Sequence, residues 1–377
     1  MRVHHSLEAF AAHAWNSLGG DRNPTLSYEF LRALERNGCV GERHGWLPRI
    51  FAVYDADDTL IGAAPAYIKD NSYGEFVFDW SWADAYQQHG LHYYPKLVVA
   101  VPFTPATGQR LLISRERDFD EIALALQRSV LAYCHAQGLT GMHWLFPTGS
   151  ETDWLERQGL LRRMGCQYHW HNDGYTDFDD FVARFNSRKR KKTNRERRRV
   201  AEQGVTLSVH HGCDLDEFEW RLVHDFYLAT YERKWGFPTL NLGFFQELGR
   251  TMGERVVVVF AHHAGETVAS ALMLHGSDTL YGRVWGCREH FHSLHFEACY
   301  YQGIDYCIAN GIARFEPGAQ GEHKIARGFR PTPTWSAHWL AQPQFHEAIA
   351  RYLEQEVSLM RAQCDDLNDL LPFRADT

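Results

Sequence analysis

The sequence predicts an α/β (α+β) protein built from two related halves. Three observations predict it: an internal repeat, a shared order of hairpin, strand, helix and strand around each copy, and a length of 377 residues. That length exceeds what one hydrophobic core usually serves, so two cores are expected. Hydrophobic residues make up 45% of the chain, ample for packed interiors and too much for disorder.

The repeat is read from matching helix ends. Tyr133-Cys-His-Ala-Gln-Gly138 matches Tyr306-Cys-Ile-Ala-Asn-Gly311. Ile122, Leu126, Val130 and Tyr133 recur at helical spacing before the first, and Phe296, Tyr300, Ile304 and Cys307 before the second. Gly138 and Gly311 are natural stops, because glycine enters the left-handed cap conformation without steric cost. A short strand follows each helix: Met142–Phe146 before Pro147, and Ile312–Phe315 before Pro317. Upstream of each helix lies a hairpin pattern. Phe51–Tyr54 turns at Asp55–Asp58 into Thr59–Tyr67, and Val256–Phe260 turns near His263–Glu266 into Thr267–Leu274.

The halves differ by an insertion of roughly 35 residues near 74–110 in the first, judged by the repeat register. Phe76, Phe78, Trp80 and Trp82 alternate within it, which predicts one face of a strand. Phe178, Phe181, Val182 and Phe185 then form a helical stripe, and a basic run follows as far as Gly204. The expected organisation is a first half over 1–175, a helical basic connector over 176–204, a second half over 205–341 and a C-terminal helix over 342–377.

Charge and cysteine usage narrow the setting. Net charge is −8, yet Arg188–Arg199 holds nine basic residues and one acid. An acidic body with one concentrated basic stretch fits a local anionic contact and not a surface that coats nucleic acid. No apolar run approaches the roughly 18 residues of a membrane helix, and Met1–Ser6 lacks a signal-like apolar stretch. Eight cysteines without a C-x-x-C pair read as reduced thiols. A cytoplasmic protein with no membrane span is expected.

The order of elements in each half resembles the GNAT fold. Leu294–Gly311, followed by Ala313–Phe329 with its lysine-bearing loop, is similar to the FemAB-like branch of that superfamily, the peptidoglycan biosynthesis/recognition proteins. The resemblance implies an N-acyl- or aminoacyltransferase that forms an amide on a small-molecule or peptide-like amine acceptor. It requires no cofactor, and its donor would be aminoacyl-tRNA or acyl-CoA. The chain departs from acetyl-CoA users in one respect. Neither Gly286–Phe296 nor Ser114–Asp120 carries the glycine pair whose backbone N–H groups cradle pyrophosphate before the main helix. That weakens CoA and keeps open a binding module without catalysis.

Site candidates follow from chemistry. Amide formation needs a base for the attacking amine and a cation or N–H for the tetrahedral oxyanion. In the glycine-punctuated loop after the last repeat strand, Glu316 or His323 fits the first role, and Lys324 or Arg327 the second. Tyr281, Arg283 and Trp285 alternate on the preceding strand and are expected to share one substrate-facing side. Glu297, at a helix start, is a further substrate contact. Trp80, Trp82 and Asp84 of the insertion are expected to shape the acceptor site, their rings desolvating a ligand. Arg188, Lys189, Arg190, Lys191 and Lys192 are expected to hold donor phosphates, with tRNA as a partner. His290, His292 and His295 lack a metal-site pattern, and Cys299 and Cys307 read as core.

Overall fold

The predicted hairpins and repeat helices form near where the periodicity puts them, in a computed structural model that describes residues 1–20, 22–234 and 237–374. The strand expected over Thr59–Tyr67 is divided at Pro65, which has no N–H to donate, into two strands of different sheets. Contacts divide the chain into two units. The first comprises Met1–Cys166 with Pro333–Cys364, and the second Gln167–Thr332 with the residues from Asp365 onward. This differs from the linear segments read from sequence. The basic helices expected as a connector belong to the second unit, and most of the C-terminal helix belongs to the first. Sequence order cannot show this, because the strand at 333–340 pairs with a strand nearly two hundred residues earlier.

The first unit opens with β1 (Arg2–His4), α1 (Ala12–Trp15), α2 (Tyr28–Arg36), β2 (Leu47–Pro48) and the hairpin β3 (Ile50–Tyr54) and β4 (Leu60–Ala64). It continues through β5 (Ala66–Lys69), α3 (Trp80–Gln88), β6 (Lys96–Val99), β7 (Leu112–Ile113), α4 (Phe119–Ala136), β8 (Gly141–Leu145) and α5 (Gly149–Arg157). Strand β9 (Leu161–His171) runs into the second unit, and β15 (Arg330–Leu340) with α12 (Pro343–Asn368) completes the first. One sheet is ordered β1-β3-β4-β7 and another β2-β5-β6-β8-β15. Leu97, Val99, Met142, Trp144 and Ala337 on one face of the second sheet pack with Ile122, Leu126 and Val130 of α4. The opposite face carries Lys96, His143 and His338, all buried. Gly138 caps α4 at φ +63°, as predicted.

The aromatic run is corrected. Phe76 has φ +58°, and Trp80 begins a helix, so residues 76–82 are not a strand. Trp80 and Trp82, two apart in α3, therefore point different ways: Trp80 is 39% exposed and Trp82 is 3% exposed. Period-two spacing was compatible with either conformation over so short a run.

The second unit contains α6 (Phe178–Ala183), α7 (Ser187–Glu202), β10 (Val205–His211), α8 (Glu217–Lys234), α9 (Leu242–Met252) and β11 (Val256–His263). It continues with β12 (Glu266–His275), β13 (Thr279–Cys287), α10 (Leu294–Phe296), a π turn over Glu297–Tyr301, α11 (Gln302–Ala309) and β14 (Arg314–Glu316). Its sheet is ordered β10-β11-β12-β13-β14-β9. Val257, Val259, Met273, Leu280, Phe315 and Trp170 bury one face against Tyr300, Tyr301, Ile304 and Cys307 of the broken helix. Helix α8 covers β13, and the contact is so close that a Cβ at Gly286 would sit 1.8 Å from Phe226 O.

Candidate functional site

The second unit carries an opening in its sheet. Strands β13 and β14 pair in parallel only over Thr279–Tyr281 with Arg314–Glu316. The next positions still touch, since a Cβ at Gly282 would lie 3.0 Å from Pro317 Cα. Beyond them lies a cavity of about 110 Å³ whose lining includes Met273, Val284, Trp285, Cys299, Tyr300 and Gly318. The register with β12 shifts there: Leu272 faces Val284 and Met273 faces Gly282, leaving Arg283 as the extra residue of a bulge. Bulges re-aim side chains at such places.

That bulge overturns the shared face expected for Tyr281, Arg283 and Trp285. Tyr281 pairs with Leu274 and Trp285 with Ala271, three positions apart on β12, so their side chains leave opposite faces. Trp285 lies on the helix side, edge-on to His295 at 5.4 Å. Arg283 is half-buried at the cavity lining, beside Tyr227 and Tyr231 of α8, and desolvation pulls its guanidinium down to about 10.

The loop candidates also separate. Glu316 pairs with Tyr281 in the parallel register, on the face opposite the core residue Phe315. It is 4% exposed, with Arg314 Nε at 3.5 Å and His169 Nδ1 at 4.0 Å. Lys324 lies behind the cavity wall at Gly318, 2% exposed; its Nζ donates to Gly318 O at 2.6 Å and sits 5.9 Å from the Tyr300 ring centre. Burial lowers its ammonium to about 8, Cys299 pulling the other way. One cleft lined by both Glu316 and Lys324 on a common strand face is therefore not formed. The chain turns at Pro317–Gly318, and that turn sends the two side chains to different sides.

His323 is exposed, and its Nε2 lies 2.9 Å from the hydroxyl of Tyr300, which lines the cavity. Partial burial, then Arg327 and Lys324, lower its imidazole below the usual histidine value. Arg327 is 3% exposed and grips Glu196 of α7 with contacts of 2.9 Å from Nη2 and 3.2 Å from Nε, while Nη1 donates to His323 O at 2.6 Å. It lies 3.4 Å over the Phe296 ring. A cation so engaged fixes the loop on α7. Glu297 is bound to Arg197 at 3.1 Å and accepts from Gln302 Nε2 at 2.8 Å. Sequence pattern alone makes Cys299 a core residue and Tyr300 a member of a helix stripe; both line the cavity. The sequence showed that stripe and could not show the opening it borders.

The basic helix α7 buries Thr193, Glu196 and Val200 and exposes Arg188, Lys191, Lys192, Arg195 and Arg198. A cleft of about 850 Å³ lies along Arg188, Lys191, Lys192, Arg195 and Arg198. Lys189 and Arg190 are half-buried on another side. Asn186 caps the helix by accepting from Lys189 N at 3.0 Å.

In the first unit, the insertion roofs the polar sheet face. Lys96 Nζ donates to Ser72 Oγ and Glu75 Oε2, both at 2.8 Å, and to Asp79 Oδ2 at 2.5 Å. Burial raises Glu75 to about 7 despite Lys96. Asp79, where burial also acts upward, is nevertheless held low by Lys96 and His143. One ammonium between two carboxylates leaves the cluster holding a proton more readily than an isolated pair would. Tyr93 donates to Asp79 at 2.6 Å, and His143 Nδ1 meets His338 Nδ1 at 2.7 Å. Trp82 is edge-on to His338 at 4.9 Å, so it belongs to this buried layer and is not exposed to substrate. Asp84 is exposed on α3.

Among the described residues, no helix is long and apolar enough to cross a membrane, and no group of three His, Cys, Asp or Glu side chains could hold a metal ion. The FemAB-like family model, described as peptidoglycan biosynthesis/recognition, matches residues 6–375. No curated protein matches the chain in sequence. Among solved structures, FemX is similar with a TM-score of 0.57 at 10% identity, over 93% of this chain and 100% of FemX. The C-terminal domain of a putative lysylphosphatidylglycerol synthetase from Agrobacterium fabrum gives 0.54 at 10% identity, over 92% and 97%. L-PGS from Bacillus licheniformis gives 0.50 at 13% identity, over 85% and 95%. The fold is the one expected, an α/β chain of two GNAT-like halves. With its family model spanning nearly the whole length, the chain belongs to the FemAB-like family.

Proposed function

We propose that the chain is an N-acyl- or aminoacyltransferase whose reaction takes place at the opening between β13 and β14. The observation that carries this reading is the cavity itself, which sets a buried lysine beside one wall and a tyrosine–histidine pair at another. An acyl group lodged there brings its carbonyl near Lys324. As the amine attacks, negative charge grows on that oxygen, and a nearby ammonium in a water-poor site stabilises it. His323, its imidazole held below the usual histidine value, takes the proton of the attacking amine through the Tyr300 hydroxyl. The tetrahedral intermediate then collapses, the donor's acyl–oxygen or acyl–sulfur bond breaks, and that proton passes to the departing oxygen or sulfur. Glu316 supports the strand face beside Tyr281, and Arg327 positions His323 through the peptide oxygen it holds.

The family's description, peptidoglycan biosynthesis/recognition, supports a peptide-like amine acceptor. The cationic face of α7 supports a donor rich in phosphate, and aminoacyl-tRNA suits it better than acyl-CoA because five cations line the cleft along the helix. The test offers charged tRNA and acyl-CoA panels with peptide-like amine acceptors and follows amide formation by mass spectrometry. Product from at least one donor, lost in Lys324→Met, is the expected result. Absence of product with both donor classes would return the chain to a binding module without catalysis.

A further inference from the structure

The first unit carries a surface that the transfer chemistry does not use. Tyr73, Phe76, Phe78 and Trp80 are 71%, 40%, 54% and 39% exposed within eight positions. Isolated exposed rings are ordinary, but a cluster of this size marks a contact surface. The segment is also held rigid from below. Between the exposed rings, Glu75 and Asp79 are bonded to buried Lys96. The carbonyl of Tyr73 accepts from Lys69 Nζ and Trp46 Nε1, and that of Phe78 from Arg163. Phe76 sits at φ +58°, a conformation that costs a bulky residue energy and persists only where the surroundings enforce it. Tyr73 and Trp80 meet edge to face at 5.2 Å.

The polar groups beside these rings identify the ligand chemistry. Asp84, Gln87 and Gln88 are exposed one and two turns beyond Trp80, on the same side of α3. Residues 71–95 contain no lysine or arginine, and the exposed acids flanking the rings are Asp70 and Asp84. Arg163, a cation that touches the segment from outside it, is 13% exposed and paired with Glu356, so this acidic, amide-bearing surface has little with which to attract anionic lipid or nucleic acid. It does suit a neutral polyol. The ring faces carry negative quadrupole charge that attracts the C–H groups on the flat side of a pyranose, and carboxylate and amide oxygens accept from its hydroxyls. From Trp80 to Gln88 the helix rises about 12 Å, longer than a single sugar ring.

We propose that this platform binds an oligosaccharide of uncharged pyranose units. The inference goes beyond the transfer reading, and it is tested by binding without turnover. The full chain is titrated with chitotetraose and with cellotetraose by calorimetry and tryptophan fluorescence. Saturable binding of at least one oligosaccharide is expected. Trp80→Ala and Phe78→Ala should each weaken it by about tenfold, and Asp84→Asn by a few-fold, with unchanged thermal unfolding. No saturable binding of either oligosaccharide would overturn the proposal. So would equal affinity in Trp80→Ala, or capture of phosphatidylglycerol–phosphatidylethanolamine vesicles through these same residues in place of the sugars.

Discussion

The two units contain the same parallel strand pair and treat its end differently. In the second, β13 and β14 separate after Tyr281 and Glu316 and leave a cavity. In the first, β6 and β8 pair in parallel over Leu97–Val99 with Met142–Trp144, and the corresponding end is closed. Gly108 N donates to Phe146 O, and buried Arg110 donates to the carbonyls of Leu145, Ala106 and Gly108 at 2.7, 2.8 and 3.0 Å. Glu151 in turn accepts from Arg110 N at 2.9 Å and from Leu111 N at 2.5 Å. The main helices follow suit: α4 runs unbroken from Phe119 to Ala136, whereas its counterpart contains a π turn at the cavity wall. π turns often occur at functional sites. A duplicated fold has thus kept one opening and turned the other into a structural clasp.

The largest expected effect comes from breaking the clasp. Arg110→Met leaves three buried carbonyls without their donor, and hydrogen bonds to a charged group contribute about 1.5–3 kcal/mol each before relaxation. We expect a loss of about 3–5 kcal/mol, the range for removing one partner of a buried charge network. Denaturant unfolding would show it, with turnover per folded molecule unchanged. A fall in turnover alone would mean that the closed end also serves the reaction.

Lys324→Met tests the open end. Turnover should fall by about a hundredfold or more if the ammonium acts on the oxyanion, while unfolding shifts little. Retained activity would remove Lys324 from the reaction.

Tyr300→Phe should cost about tenfold by cutting the link to His323. The wild-type rate should also decline as pH falls and His323 is protonated, below the usual histidine value near 6.5. A variant with an unchanged acid limb would show that this imidazole takes no part.

Stability to acid gives a smaller contrast, located in the first unit. Burial, with Lys96 adding to it, lowers His143 to about 3. Between pH 6.5 and about 3 the unfolded chain therefore binds the extra proton. This histidine's contribution is complete above 6.5 and is lost by about 1.4 kcal/mol per pH unit on acidification. Glu75, raised to about 7, acts oppositely between 4.5 and 7, so the net decline should steepen below pH 4.5. Unfolding midpoints across pH 3–7 would show the break. Buried His338 and His169, also held well below the usual histidine value by burial, add slopes of the same sign. His143→Asn should therefore make the decline below the break shallower by about one proton's share without abolishing it.

The smallest effect is expected on α7. Replacing Arg188, Lys191, Arg195 and Arg198 with alanine should weaken donor binding several-fold and flatten its salt dependence. An unchanged salt slope would leave the helix a solvated face.

Much of this architecture was legible in the sequence. Hairpins, repeat helices, glycine caps and the basic helix follow from local periodicity and from residues with distinct backbone preferences. The site was legible only as a neighbourhood. Lys324 and His323 were identified by type, but Tyr300 looked like any member of an apolar helix stripe. Trp80 and Trp82 looked like strand mates because four alternating rings fit either an extended chain or a loop entering a helix.

By itself the sequence determined that there are two related halves and which segments form their elements, because those depend on contacts within a few residues. Tertiary structure decided what faces what. A single-residue bulge at Arg283 sent Tyr281 and Trp285 to opposite sides of one strand. Pairing of β15 with β8 carried residues 333–340 into the first unit. Arg327 became a structural clamp because Glu196, one hundred and thirty-one positions away, was brought within 2.9 Å. Side-chain direction and charge partnership depend on which strands and helices meet, and local sequence preference does not encode that choice.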